Sequence, residues 1–377
     1  MDNFEIVVTT LFGLEALAAR EIRRLGYETS LVEDGRVCFR GDWQAVCRAN
    51  LWIRTGERVL IKVGEFSAVT FDELFEKTKK IDWSNWVGKN DAFPVKGYSL
   101  KSTLASVRDC QSIIKKAIAN GLSEAYGTTW HEESGIKYQI QFSIFKDKVT
   151  LMLDTSGEGL HKRGYRQISN IAPLKETLAA ALVELSHWKY EYPLCDPFCG
   201  SGTIPIEAAM IKRNIAPGIM RSFAAEKFSQ IADSIWGQAR DEAKSLKRDV
   251  PLEIYSYDID SVTVEIAKAN AQKAGVGEFV KPQTGDARNI HFDMPYGTII
   301  CNPPYGERIG EIKECEKLYK EIGVSFKKLD KWSYYIITSN ENFEKIFGKT
   351  ANKKRKLYNG MINCNLYQFF GERPPKK

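Results

Sequence analysis

Apolar positions along the chain change period several times, and those changes divide it into three segments. Phe4–Thr10 is a short apolar run suited to a strand, while Leu14–Leu25 carries apolar residues at the three- and four-residue spacing of an amphipathic helix. Ser30–Phe39 reads as two paired short strands, Trp43–Ala49 as a helix and Arg58–Val63 as a strand. This β-α-β-β-α-β order is ferredoxin-like, and residues 1–60 are assigned to a first domain. A second α+β domain spans residues 61–156, with helix-like stretches at Phe71–Lys80 and Cys110–Ala125 and alternating strands at Tyr138–Phe145 and Lys148–Leu153. The connection DTSGEGLHKRGYR, residues 154–166, is rich in glycine and basic residues, which suits a solvated linker or a surface facing a polyanion.

From about Ala172 the pattern becomes one of apolar strands alternating with helices, as in a doubly wound parallel sheet. Strands are expected at Leu194–Pro197, Glu253–Asp258, Val280–Thr284, Thr298–Asn302 and Ser333–Ser339. The closing stretch KKRKLYNGMINCNLYQFF, residues 353–370, breaks this rhythm with two β-rich runs around Asn359–Gly360, a strong hairpin signal. Residues 165–377 are therefore read as an α/β Rossmann-like domain whose seven-stranded sheet finishes in an antiparallel hairpin.

Composition adds bounds rather than chemistry. At 377 residues, 43% hydrophobic and 27% charged, the chain has the balance of a folded, multidomain soluble protein. The N-terminus lacks the basic and apolar regions of a signal peptide, and no apolar run approaches the roughly 20 residues that span a bilayer. A cytoplasmic protein without a membrane partner is expected. Eight cysteines are scattered without CxxC pairs, and no histidine lies near Cys195 and Cys199, so no metal is expected. The net charge of +6 permits an acidic polymer as partner without requiring one.

Four motifs carry the chemistry, each at the end of an expected strand. DPFCGSGT, residues 196–203, is a strand, an acid, a glycine turn and a helix start; Gly200 and Gly202 let the backbone approach a ligand at the carboxyl edge of the sheet. No lysine follows the glycines, which excludes a phosphate-binding P-loop. In YDID, residues 257–260, Asp258 is placed to accept two ribose hydroxyls, with Asp260 or Ser261 as helix cap. GDA, residues 285–287, offers Asp286 to an adenine amino group.

The fourth motif is NPPYGER, residues 302–308. An exocyclic amine is a poor nucleophile because its lone pair is delocalised, so an enzyme must orient it with acceptors. The Asn302 side-chain oxygen and the Pro303 carbonyl can be those acceptors. Pro303 and Pro304 stiffen the loop, and Tyr305 can stack on an extruded base. Adenine, guanine and a planar amide would all fit such a site.

In order and spacing these motifs resemble the class I S-adenosylmethionine-dependent methyltransferases that act on amino nitrogens. More narrowly, the N-terminal pair of domains, the 154–166 junction, the helix APLKETLAAALVELSHW, NPPYGERIG and the closing KLYNG hairpin resemble bacterial 23S rRNA guanine-N2 methyltransferases with a THUMP domain. The resemblance implies that residues 61–156 form an RNA-binding THUMP domain. It also implies a cofactor site of Asp196, Pro197, Phe198, Gly200, Gly202, Thr203, Asp258, Ile259, Asp286, Ala287 and Asn302, with Asn302, Pro303, Pro304 and Tyr305 catalytic. S-adenosylhomocysteine would be the product, rRNA the most fitting substrate and tRNA the next, with a monomer or weak dimer as the working form. No second catalytic domain is expected from this chain, unlike some relatives.

RNA contacts are expected at Lys101, Lys115, Lys116, Arg163, Arg166, Lys353, Lys354 and Arg355, although KKRK would equally suit a solvated strand edge. Trp188, Trp236 and Trp332 read as core or interface aromatics rather than base-stacking platforms. The stretch Phe223–Lys247 is an insertion that either covers the cofactor or packs as helix. Adenine-N6 methylation, protein glutamine methylation and a non-catalytic RNA chaperone compete with the guanine reading, and the product nucleoside separates them.

Overall fold

The computed structural model describes residues 3–166, 174–306, 309–329 and 331–374. Ala172 and Pro173 of the APLKETL helix, and Glu307 and Arg308 of NPPYGER, lie outside them. The chain forms two compact units: residues 1–10, 19–160 and 222–241 make one, and residues 11–18, 161–221 and 242–377 the other.

The first unit contains β1 (Phe4–Thr10), most of α1 (Glu15–Arg24), β2 (Thr29–Glu33), β3 (Arg36–Gly41), α2 (Trp43–Trp52) and β4 (Gly56–Ser67). It continues with α3 (Phe71–Lys79), β5 (Val95–Leu100), α4 (Val107–Tyr126), β6 (Ile140–Phe145) and β7 (Lys148–Asp154). One seven-stranded sheet runs through both α+β segments in the order β2-β3-β1-β4-β7-β6-β5. β4 joins the halves, pairing Ile61 with Ile6 on one side and with Leu153 on the other. Side-chain caps begin α2, α3 and α4: Asp42 accepts from Ala45, Thr70 from Glu73 and Ser106 from Asp109.

The insertion after the first Rossmann helix packs with this unit. Phe228 stacks on Tyr138 at 4.4 Å, Trp236 stacks on Phe223 at 5.4 Å, and Ala225 N donates to Thr155 O. Of the two roles open to Phe223–Lys247, these contacts show packing.

The second unit is the Rossmann-like domain: α5 (Glu176–Ser186), β8 (Leu194–Asp196), α6 (Thr203–Lys212), the end of α7 (Asp233–Ser245), β9 (Ile254–Asp258), α8 (Ser261–Lys273), β10 (Val280–Thr284) and β11 (Thr298–Cys301). It closes with α9 (Ile309–Lys327), β12 (Ser333–Thr338), α10 (Phe343–Phe347), β13 (Lys353–Asn359) and β14 (Ile362–Phe369). The sheet order is β10-β9-β8-β11-β12-β14-β13, parallel through β12 and antiparallel in the closing hairpin. Its central strands are buried on both faces, as a parallel sheet between helices requires. Ile300 and Ile337 enter one core with Leu178, Leu182 and Leu366; Ile299 and Ile336 enter the other with Tyr319, Phe326 and Trp332.

Candidate active site

The strand registers bring the motifs to one edge of the sheet. Asp196 lies opposite Ser256 and Thr284 opposite Asp258, so β8, β9 and β10 end together. Cys199 N then donates to Tyr257 O, and Gly285 N to Asp258 O, tying the loops after β8 and β10 to β9. These loops enclose a cavity of about 580 Å³ lined by Asp196, Phe198, Gly200, Asp258, Asp286 and Asn302, among others. That volume falls within the roughly 300–1,000 Å³ of small-molecule sites.

Three carboxylates line it, each with a different electrostatic setting. Asp196 is 1% exposed; its Oδ1 accepts from Phe198 N at 3.1 Å. Burial and the neighbouring Asp258 push its carboxyl well above the ordinary aspartate range, so a cation in the cavity would relieve it. Asp258 accepts from Gly200 N through Oδ2 and from Asp260 N through Oδ1, both at 3.0 Å. The remaining lone pairs can take ribose hydroxyls. Asp260 caps α8, accepting from Val262 N and Thr263 Oγ1, the structural job expected of it.

Asp286 is engaged by a residue that the motifs did not single out. The Arg288 guanidinium grips both its oxygens, reaching Oδ2 at 2.5 Å, and holds its carboxyl below the ordinary range. Arg288 also bonds Glu321 on α9 and lines the cavity itself. Leu174, Cys199, Ser201, Ile204, Gly285 and Leu318 line it too and had not been singled out, and Pro197, Thr203, Ile259 and Ala287, which had, also line it. Ile259 is 70% exposed, an apolar side chain available to a planar ligand.

Gly202 does not line the cavity. It caps α6 at φ +84°, and a Cβ there would meet Ala267 Cβ at 3.2 Å, so its place is in the helix–helix contact. The NPPY turn also departs from expectation in part. Asn302 and Pro304 line the cavity, but Pro303 is buried away from it. Tyr305, instead of presenting its ring, is half-buried against the core that holds Leu178, Leu182 and Leu366. Its hydroxyl donates to Asn302 Oδ1 at 2.5 Å and lies 3.5 Å from Asn359 Nδ2. Tyr319 locks the turn by donating to Pro304 O at 2.6 Å.

Several expected RNA contacts have other work in the fold. Arg163 is 1% exposed and paired with the fully buried Glu207, which also accepts from Tyr165. It cannot reach a polyanion at the surface. Arg166 braces the cavity wall, bonding Thr203 Oγ1 at 2.5 Å and Leu174 O at 3.1 Å. Arg355 donates to Gly13 O, Lys354 pairs with Glu344, and Lys115 pairs with Glu133 while lying over Phe93. Lys101, Lys116 and Lys353 remain exposed. Among the described residues no cluster of His, Cys, Asp or Glu is arranged to hold a metal, and no helix is long and apolar enough to cross a membrane.

Comparison with known proteins bears on this site. Family models described as "RlmL ferredoxin-like domain", "THUMP domain" and "RMKL-like, methyltransferase domain" match residues 5–60, 68–154 and 163–368. "Putative RNA methyltransferase YpsC" of Bacillus subtilis is 49% identical over all of this chain and 99% of that protein. The "Ribosomal RNA large subunit methyltransferase K/L" of Psychromonas ingrahamii is 33% identical over 97% of this chain, which spans only 50% of that longer protein. Among solved structures, SMU.472, "a putative methyltransferase complexed with SAH", is 41% identical with a TM-score of 0.94 over both full chains. A Listeria monocytogenes protein described as a "predicted N6-adenine-specific DNA methylase" is 48% identical with a TM-score of 0.94, over 98% of this chain and 97% of that one. The buried Asp196, whose charge a cation would relieve, and the row Asp196, Asp258 and Asp286 suit an adenosyl group carrying a positive amino-acid end. The chain belongs to the RMKL-like methyltransferases: a class I, S-adenosylmethionine-dependent enzyme preceded by ferredoxin-like and THUMP domains.

Proposed function

We propose that this enzyme methylates the N2 amino group of a guanosine in structured RNA, with 23S rRNA as its substrate. The observation that carries the reading is Asn302, which lines the cofactor cavity and whose side-chain carbonyl, bonded by the Tyr305 hydroxyl, is of the kind that accepts from an amine N–H. S-adenosylmethionine supplies an electrophilic methyl group on its sulfonium. Asp196 would face its amino group, Asp258 its ribose, and Asp286 with Ile259 its adenine. Asn302 Oδ1 would accept from the target NH2 so that its lone pair faces the methyl group, with Pro304 lining the cavity beside it. The Tyr305 hydroxyl now satisfies Asn302 Oδ1, and the incoming amine would replace it while the ring turns to stack on the base. No His or carboxylate stands in the NPPY motif as a base, so the proton passes to water once the acidic methylated ammonium has formed.

Guanine and rRNA rest on the THUMP and ferredoxin-like segments and on similarity to the large-subunit K/L protein. A second reading, N6-methylation of adenine, shares the NPPY chemistry and is favoured by the Listeria neighbour's description. Purified enzyme, methyl-labelled cofactor and unmodified 23S rRNA transcript separate the two. Label in N2-methylguanosine is expected; label confined to methyladenosine would overturn the guanine assignment.

A further inference from the structure

The closing hairpin has a second surface beside the target pocket. Asn359 is the last residue of β13, and its contact with Tyr305 sets the hairpin tip against the NPPY turn. The two-residue turn that follows, Gly360 and Met361, leaves the Met361 side chain 98% exposed. Along the same strand Tyr358 is half-buried, with Lys356 Nζ 5.6 Å from the centre of its ring. Phe12, from the loop before α1, meets Tyr358 edge-on at 6.2 Å and is itself 56% exposed.

These two distant stretches of sequence are fastened together. Arg355 reaches across to Gly13 O at 2.5 Å. Gly13 sits at φ +87°, and a Cβ there would lie 3.2 Å from the Lys356 carbonyl, so the loop lies tight against the strand backbone. The result is a braced platform with an aromatic pair, a fully exposed methionine at its tip and the exposed cation Lys356 on the Tyr358 face of the strand. Isolated exposed apolar residues need no explanation, but Phe12 and Tyr358 touch each other beside Lys356, on the strand whose last residue reaches Tyr305.

We propose that this platform binds the RNA strand flanking the target nucleotide. Phe12 and Tyr358 stack on neighbouring bases, Met361 fills the gap left when the target base is extruded, and Lys356 takes a phosphate. The proposal rests on the RNA reading given above. It commits to a single-stranded or locally opened RNA segment because stacking needs free base faces, and the cation matches its backbone.

The test is steady-state methylation of unmodified 23S rRNA transcript by wild type, Phe12→Ala, Met361→Ala, the double variant and Phe370→Ala. Phe370 is exposed just beyond the far end of β14 and serves as control. A loss of about 10-fold in kcat/KM for RNA is expected from each platform change, from stacking worth ~1–3 kcal/mol per base. Calorimetric affinity for S-adenosylhomocysteine and the melting temperature should not move, because these side chains face solvent. Platform variants matching wild type and Phe370→Ala in kcat/KM would overturn the platform while leaving the RNA reading standing. A wild-type enzyme that methylates DNA or protein but no RNA would overturn both.

Discussion

Asp196→Asn should separate stability from cofactor binding. The native carboxyl is fully buried, accepts a hydrogen bond from Phe198 N and faces a second acid, Asp258. Its carboxyl is therefore raised above the ordinary 3.8. For a group raised in this direction, the folded state of the cofactor-free protein binds the extra proton. Stability is fully present below the ordinary value and declines as pH rises from about 3.8 through the folded value. The amide is isosteric, keeps the acceptor for Phe198 N and carries no charge. It should stabilise the cofactor-free protein at neutral pH by about 1–2 kcal/mol, or ~2–4 °C per kcal/mol for a unit of this size. Cofactor binding should move oppositely. Removing one partner of a desolvated charge pair costs about 3–5 kcal/mol, roughly 100- to several-thousand-fold in Kd. Thermal melts across pH 5–8, with and without S-adenosylhomocysteine, read both effects. Titration calorimetry in buffers of different ionisation enthalpy should detect proton release on binding to wild type and none with the variant. A variant that melts lower than wild type without ligand, or that binds ligand equally well, would refute the electrostatic account of this residue.

Other consequences are as direct. Tyr305→Phe removes the hydroxyl that occupies Asn302 Oδ1 but keeps the stacking ring, so KM for RNA should fall or hold while kcat is retained; a collapse of kcat would show that the hydroxyl itself takes part. Glu207→Gln removes the fully buried carboxylate paired with Arg163 and should cost about 3–5 kcal/mol in urea unfolding, whereas an exposed pair such as Lys268–Glu265 should cost under ~1 kcal/mol. All eight cysteines are buried, and burial pushes Cys38 up to about 12, so the native protein should resist thiol alkylation at pH 8 and release all eight thiols only on unfolding.

The sequence made the Rossmann-like half legible because its central strands are continuous apolar runs that end in chemistry-bearing residues. TIIC followed by NPPY shows both properties at once, and so do Leu194–Asp196 with its glycine turn and the NG hairpin. Strand β5, VKGYSL, escaped notice because it is a sheet edge: from Lys96 through Tyr98 its side chains face solvent, so no alternation is written into it. The extent of β4 was underestimated because its outer part, Gly64–Ser67, is specified by pairing with the distant β7. Basic residues misled for a related reason. Arg163 and Lys116 look alike in a sequence, and only tertiary structure buries the first against Glu207 and exposes the second. The grip of Arg288 on Asp286 likewise had no signal beyond proximity to the GDA motif.

The central claim concerns the target atom, and nucleoside mass spectrometry of 23S rRNA and tRNA from cells lacking the gene addresses it most directly. The account predicts the loss of N2-methylguanosine from one position of 23S rRNA, restored by the wild-type gene and not by Asn302→Ala. Unchanged N2-methylguanosine in 23S rRNA, with a methyl group missing from adenine or from tRNA instead, would contradict it.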